Sequence, residues 1–595
     1  MHQLLTVNCK FSKIYSNFAL VFKRCRKGKL FMKGFEFKPS LVTSLKGYNK
    51  KTFMADFMAG IIVGIVALPL AIAFGIASGV TPEQGIITAI VAGFIISVFG
   101  GSKVQIGGPT GAFIVIIAGI INEYGIEGLA IATVLAGVFL VALGLLRLGT
   151  IIKYIPYPIV VGFTSGIALT IFTTQIKDLF GLTIEGGVPA DFISKWVVYC
   201  QNFGSIDLWS AVVGIVSVII IVITPKFSKI IPGSLIAIIL MTVGVVILKN
   251  YGLAEHVDTI GDRFTINSTL PDPNVPDMNW ETIKSLISPA ITIAVLGAIE
   301  SLLSATVADG VIGDKTNSNQ ELIGQGIANI LSPIFGGIPA TGAIARTMTN
   351  INNGGKTPIA GIIHAVVLLL IFLLLMPLAQ YIPMSCLAGV LVVVAYNMSG
   401  WRTFKGLLSN PKSDISVLLI TFFLTVIFDL TVAIEVGLLL ACLLCMRRMA
   451  ETTQVSVLTD EIDPNQETDM QVASEEHLVI PERCEVYEIN GPYFFGIANK
   501  FDEVMEHHRS KHRPLVRIIR MRKVPFMDST GIHNLSCLIQ TCHDQGIHVI
   551  LSGVNPQVHQ VLEKSHFYEI MNSDHICPHI NVALETAREY LASLK

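Results

Sequence analysis

Two short stretches of this sequence share a wording that suits anion binding. The first is Gly107-Gly108-Pro109-Thr110-Gly111-Ala112, and the second is Gly337-Ile338-Pro339-Ala340-Thr341-Gly342-Ala343. Each places a Gly-Pro break before Thr-Gly-Ala and an apolar run. A helix that starts at such a break leaves its first N–H groups unpaired and presents about half a positive charge. Two such ends facing each other make an anion site without a formal charge. Gly108, Gly111 and Gly342 let a solute approach the backbone, and Thr110 or Thr341 can both cap a helix and touch the solute. Ala343 opens the second half-helix. Arg346 follows within it, and its side chain leans back toward the helix start, where it biases the potential at the site. Phe74, just beyond the helix-bending Pro69, is placed to line the same space.

Glu300 stands in Ala298-Ile299-Glu300-Ser301, inside another apolar run. An ionised, unpaired carboxylate there is costly. Glu300 is therefore expected to be protonated, paired with Arg346, or used as the site of a coupling proton or sodium ion. Far downstream, Asp528-Ser529-Thr530-Gly531 puts Ser529 at a helix start, where it can cap the helix or accept a phosphate. Cys442 and Cys445 form a CxxC inside an apolar run, which reads as helix packing rather than a metal half-site. No catalytic triad, phosphate loop or metal cluster stands out. The expectation is a protein that is not an enzyme and uses no metal, cofactor or nucleic acid.

The elements that must hold these residues are membrane helices. Of 595 residues 52% are hydrophobic and 14% charged, with a mean hydropathy of +0.64. Soluble proteins carry about 25% charge. Fourteen apolar segments are expected, near 53–78, 85–100, 107–121, 127–148, 158–177, 207–224, 230–248, 286–309, 319–336, 340–353, 358–376, 384–399, 413–428 and 431–446. The two Gly-Pro breaks open the third segment of each group of seven. A matched pair of interrupted segments points to an inverted-repeat transporter whose site lies at the membrane midplane. An even number of crossings leaves Arg147, Lys153, Lys226, Lys356, Arg402, Lys405, Arg447 and Arg448 on the side of the basic N-terminus. Glu83, Glu123, Glu127, Glu185 and Asp191 then face the other side. Both termini are thus expected in the cytoplasm of a cell membrane, most simply a bacterial inner membrane.

Residues 1–51 hold twelve Lys/Arg against one acid, Glu36, and read as a basic cytoplasmic segment. Residues 52–448 form the transmembrane transport domain and 449–480 a polar linker. Residues 481–595 read as a small α/β domain, with eleven of the fourteen His lying beyond position 451. Strands are expected at Cys484–Asn490, Tyr493–Gly496, Leu515–Arg520 and Ile547–Ser552. Helices are expected at Ile497–His508, Ser529–Asp544 and Asn555–Ser565.

Several stretches resemble the SulP anion transporters, relatives of the hearing motor prestin. They are Asp56–Phe74, the Gly108-Pro109-Thr110 break, Ala298–Leu303, Asn319-Gln320-Glu321-Leu322 and Gly326-Ile327-Ala328-Asn329. The resemblance spans about 40–590. It implies two inverted seven-segment repeats divided into a mobile core and a gate, usually as a homodimer. It also implies a solute between Thr110 and Thr341–Ala343, close to Phe74 and Arg346. Asp528–Gly531 resembles the loop of STAS domains, where Ser529 would be the phosphorylation switch read by a cytoplasmic regulator. The wording is similar to bacterial C4-dicarboxylate carriers, and sulfate carriers share nearly the same motifs. The function implied is secondary-active, proton-coupled transport of sulfate or a C4-dicarboxylate by alternating access. A sodium–bicarbonate symporter, or an uncoupled anion exchanger or channel on the same scaffold, remains open.

Overall fold

The computed structural model describes residues 37–594, apart from 151–155, 185–187, 190, 228–231, 267, 277–278, 429, 459–460, 463–477, 497–512 and 572–574. Lys153, Glu185, most of the basic N-terminal segment and the expected helix Ile497–His508 lie outside the described residues. The chain divides into two compact units, Met1–Leu438 and Leu439–Lys595.

The first unit is helical. Its elements are α1 (Lys50–Ala77), α2 (Pro82–Phe99), β1 (Gly107–Gly108), α3 (Ile114–Leu145), α4 (Tyr157–Phe180), α5 (Phe192–Gln201), α6 (Leu208–Phe227) and α7 (Gly233–Asn250). After a long connection come α8 (Trp280–Ile312), α9 (Ser318–Ile334), β2 (Thr341–Gly342), α10 (Ile344–Asn352), α11 (Ile359–Ala379), α12 (Met384–Ser399), α13 (Trp401–Leu407) and α14 (Lys412–Ile427), and the division between the units falls within α15 (Leu430–Thr452). Among the described residues, nine helices are long and apolar enough to cross a bilayer. Helix α3 is two helices in one run. Gly125, at φ 71° and ψ −175°, breaks it into a half-helix and a full span, so the third and fourth expected segments are distinct.

Local chemistry sets the helix starts. Asn49 caps α1 by accepting from Thr52 N at 2.9 Å. Thr81 and Gln84 form a capping box ahead of α2, with Pro82 in its first turn. Helix α5 lies outside the fourteen expected segments. It is ten residues long, too short to register as a span, and is capped by Asp191 accepting from Ser194 N at 2.9 Å.

The two halves interleave. Helices α1, α2, α3, α8, α9, α10 and α11 pack into one group, and α4, α6, α7, α12 and α14 into another. Thus segments one to four of the first repeat lie with segments one to four of the second. Small residues permit the closest crossings, as in membrane bundles generally. A Cβ on Gly137 of α3 would stand 2.6 Å from the carbonyl oxygen of Gly326 in α9, and the converse distance is also 2.6 Å.

The second unit holds a five-stranded sheet in the order β3-β6-β7-β8-β9. These strands are β3 (Gln454–Leu458), β6 (Cys484–Asn490), β7 (Val516–Lys523), β8 (His548–Ser552) and β9 (Ile576–Cys577). The β3–β6 pair is antiparallel and the others are parallel. Alternation along β6 sends Tyr487 and Ile489 to a core containing Ile519 and Leu535. It sends Val486 to a second core containing Ile518, Ile550 and Leu584. Helices α16 (Ser529–Asp544), α17 (Pro556–Lys564) and α18 (Ile580–Ser593) complete the unit.

The expected linker at 449–480 already contains β3, and it also contains a small hairpin of β4 (Glu461–Ile462) and β5 (Leu478–Val479). Tyr493–Gly496 is not a strand. Tyr493 alone bridges Met527, and Phe495 N donates to the Asp528 carboxylate at 3.1 Å, which turns the chain away from a ladder.

Candidate functional site

The two Gly-Pro breaks meet. Strands β1 and β2 pair antiparallel, Gly107 opposite Gly342 and Gly108 opposite Thr341. Ala343 N donates to Ile106 O at 2.9 Å, and Ile106 N donates to Thr347 Oγ1 at 3.1 Å. A two-residue ladder suffices because each strand is only the approach to a helix start. Beyond β1 a single turn, Gly111–Phe113, leads into α3, and Thr110 Oγ1 accepts from Ala112 N. Beyond β2, Ala343 is the N-cap of α10. Both helix N-termini therefore begin at one crossing.

Each polar side chain here has a definite post. Thr110 is half-buried with its hydroxyl at the mouth of the first half-helix. Thr341 is fully buried, and its hydroxyl donates to Gly297 O of α8 at 2.9 Å, so it anchors the crossing instead of presenting its hydroxyl to a solute. Arg346 is 1% exposed and donates to Gly107 O at 3.3 Å and to Pro109 O. Its guanidinium thus sits under the first break although it belongs to the second half-helix. No described carboxylate pairs with it. Gly108 has φ +150°, and a Cβ there would stand 2.1 Å from Arg346 Nη1. Only glycine fits that backbone against that cation.

Phe74 and Gly111 adjoin. A Cβ on Gly111 would lie 3.3 Å from Phe74 Cε1, 3.0 Å from Met398 Sδ of α12 and 3.4 Å from Ile171 Cδ1 of α4. The start of the first half-helix therefore faces α1 on one side and the second helix group on another. A cleft of about 140 Å³ continues between α1 (Ala73, Ile76), α4 (Thr174, Gln175) and α12 (Leu387, Leu391).

Glu300 is 8% exposed on α8 and makes no ion pair with Arg346. Of the three alternatives for Glu300, the ion pair with Arg346 is not formed, because the guanidinium is turned to the Gly107 and Pro109 carbonyls.

A second buried carboxylate, without an assigned role in the sequence reading, lies at the heart of the crossing. Glu321 of α9 is fully buried. Its Oε2 accepts from Gly101 N at 2.8 Å and Ser102 N at 3.0 Å. Its Oε1 accepts from Gln105 Nε2 at 2.9 Å, Gln325 Nε2 at 3.2 Å and Ser301 Oγ at 3.4 Å. Gln105 also donates to Ser301 Oγ at 2.8 Å, and a Cβ on Gly342 would come within 1.8 Å of that same nitrogen. Glu321 thus positions the chain entering β1 and, through Gln105, the backbone of β2. The signal in the sequence was an acid in an apolar segment, but its partners Gly101, Ser102 and Gln105 lie 216 to 220 residues away.

Asn329 braces the second break likewise, accepting from Ala340 N at 2.9 Å and donating to Ala340 O at 2.8 Å. Asp56 caps the start of α11 from α1, accepting from Lys356 N at 2.7 Å and Thr357 Oγ1 at 2.6 Å.

In the second unit Asp528, not Ser529, caps α16, accepting from Gly531 N at 2.7 Å. Ser529 and Thr530 are exposed beside it. Asp wins the cap because its carboxylate also accepts from Phe495 N.

The sulfate permease family profile matches residues 53–421, and the STAS domain profile matches 477–583. YvdB of Bacillus subtilis, provisionally named a sulfate transporter, is 40% identical over 536 residues, covering 90% of this chain and 98% of its own. The bicarbonate transporter BicA of Picosynechococcus is 29% identical, covering 83% of this chain and 87% of its own. The transmembrane domain of a cyanobacterial BicA superposes with a TM-score of 0.57 at 28% identity, covering 66% of this chain and 98% of that one. Murine Solute Carrier 26 family member A9, an anion transporter solved facing inward, shares the fold at a TM-score of 0.82 and 19% identity, covering 96% and 98% of the two chains. A multi-span membrane protein with a C-terminal STAS domain, this chain belongs to the sulfate permease family of anion transporters.

Proposed function

We propose that the protein is a secondary-active importer of a small anion of the sulfate or C4-dicarboxylate class. The solute is held between the start of α3 at Thr110–Ala112 and the start of α10 at Ala343–Arg346. The observation that carries this reading is the β1–β2 crossing, which starts two helices at one place above Arg346, whose charge no described carboxylate neutralises. Helix N-termini and a fixed guanidinium recognise negative charge without a mobile counter-ion. Gly108, Gly111 and Gly342 keep the backbone accessible, and Phe74 closes one side. The group α1–α3 with α8–α11 is the moving body, and α4, α6, α7, α12 and α14 form the gate against which it slides, in alternating access. Both termini face the cytoplasm, and a homodimer is the working unit.

Glu300 is the coupling group. It is buried, it lacks a described cationic partner, and it lies one turn from Gly297, whose carbonyl receives Thr341. When Glu300 carries a proton, the positive potential of Arg346 and the helix ends is available to the anion. When it is ionised, that potential is neutralised. Proton and anion then bind cooperatively. Sodium–bicarbonate symport is the second reading, supported by the likeness to bicarbonate transporters. The test is uptake of labelled sulfate, succinate and bicarbonate into proteoliposomes under an imposed pH or sodium gradient. Acid-driven accumulation that Glu300→Gln abolishes while sparing exchange supports proton coupling. Accumulation only with sodium supports the second reading. Normal acid-driven accumulation by Glu300→Gln removes Glu300 from coupling.

A further inference from the structure

The first unit carries a second cavity that the transport path does not use. It measures about 520 Å³ and lies between α4, α12, α13 and α14. Phe172, Ala395, Tyr396, Trp401, Phe404 and Phe423 line it, and Phe172, Tyr396, Trp401 and Phe423 are also exposed, so the cavity opens laterally as a groove. A lining of this kind suits a hydrocarbon chain and offers an anion nothing.

The rim of the groove is different in character. Trp401 Nε1 donates to the Tyr396 hydroxyl at 3.0 Å, and Arg402 lies 5.7 Å from the Trp401 ring centroid. Tyr and Trp with one polar end occupy the headgroup level of a bilayer. Between Gly400 and Lys412 the sequence holds Arg402, Lys405 and Lys412 and no acid. Helix α13 thus sets Trp401 and Phe404 into the groove while Arg402, over the Trp401 ring, and Lys405, three residues further along the helix, stay exposed. An amphipathic segment of this kind attracts anionic lipid.

We propose that this groove is a binding site for one anionic phospholipid. An acyl chain lies in the aromatic groove, and the phosphate is held by Arg402 and Lys405. The site has a route to transport. Phe172 and Ala395 line the groove, while Ile171 and Met398 on the same two helices approach Gly111 at the anion site. A chain in the groove braces α4 and α12 from behind.

The test uses the full-length protein in vesicles of phosphatidylcholine alone or mixed with phosphatidylglycerol, followed by native mass spectrometry of the lipid retained. Wild type should retain phosphatidylglycerol over phosphatidylcholine. Removing two surface cations, Arg402→Gln with Lys405→Gln, should lower that preference about 30-fold, from roughly fivefold per cation. Ala395→Trp should fill the groove and abolish retention of both lipids, with Ala395→Leu as the milder version if the larger side chain prevents folding. Equal retention of the two lipids by wild type, or an unchanged preference in the double glutamine variant, overturns the proposal. So does an intermolecular disulfide through Tyr396→Cys, which would make the groove a contact with a second copy.

Discussion

Gly342→Ala tests the crossing with the smallest change available. The new Cβ would stand 1.8 Å from Gln105 Nε2 and 2.5 Å from its Cδ. Ordinary contact needs more than 3.4 Å, so the amide must move by well over an ångström. It cannot do so and keep its hydrogen bonds to Ser301 Oγ at 2.8 Å and Glu321 Oε1 at 2.9 Å. The neutral bond contributes about 1 kcal/mol and the one to the carboxylate about 1.5–3 kcal/mol, giving a loss near 3 kcal/mol. If that energy holds the crossing in its transport-competent form, uptake falls roughly 100-fold. The assay is initial uptake by proteoliposomes matched for the amount of inserted, monodisperse protein. A double-mutant cycle isolates the cause. In a Gln105→Ala background the clash is gone, so Gly342→Ala should add less than about 1 kcal/mol. Wild-type uptake by Gly342→Ala, or a full penalty persisting in the Gln105→Ala background, would refute the reasoning.

Glu321→Gln places an amide donor among donors from Gly101, Ser102, Gln105 and Ser301, and should lower the thermal unfolding midpoint and cost about 3 kcal/mol or more, read by thermal denaturation beside uptake. In the second unit, burial and the neighbouring His575 and His543 push the His548 imidazole down from 6.5 to about 4. The unfolded chain therefore binds more protons between those values, and this domain should lose stability as pH falls through that window. His548→Phe, which retains the stack on Tyr590, should flatten the dependence, as followed by limited proteolysis of the full chain against pH. Phosphate on exposed Ser529 adds up to about two negative charges in the first turn of α16, which should favour that helix end locally, and hydrogen exchange of Ser529→Asp should report slower exchange there.

What the sequence made legible follows from how membranes act on it. Apolar length marked the nine described helices long and apolar enough to cross a bilayer, and the two Gly-Pro breaks marked the starts of the run into α3 and of α10 because a helix cannot run through them. The pairing of Glu321 with Gly101 and Ser102 was not legible, because hydrogen bonds between segments 220 and 219 residues apart leave no periodic trace. For the same reason the turn of Arg346 toward Gly107, away from Glu300, had to be seen. Thr341 illustrates the limit of motif reading. Its type suited a solute contact, but a buried hydroxyl must find an acceptor, and Gly297 O was nearest. Strand β3, Gln454–Leu458, alternates Val455 and Val457 with Gln454 and Ser456, but at five residues on a sheet edge beside a polar stretch it did not stand apart from the linker. Asp528 and Ser529 are both good caps, and only the second acceptor duty toward Phe495 separates them.

An anion that is transported should pass the start of the first half-helix. Gly111→Leu places a branched side chain where a Cβ already meets Met398, Phe74 and Ile171 at 3.0–3.4 Å. The decisive measurement is counterflow of labelled sulfate, succinate and bicarbonate in proteoliposomes of wild type and Gly111→Leu, with insertion and monodispersity checked for both. Wild type should carry at least one of the three, and the inserted, monodisperse Gly111→Leu protein should carry none. Uptake by Gly111→Leu at the wild-type rate would contradict the site, and no uptake of any of the three by wild type would contradict the proposed substrate class.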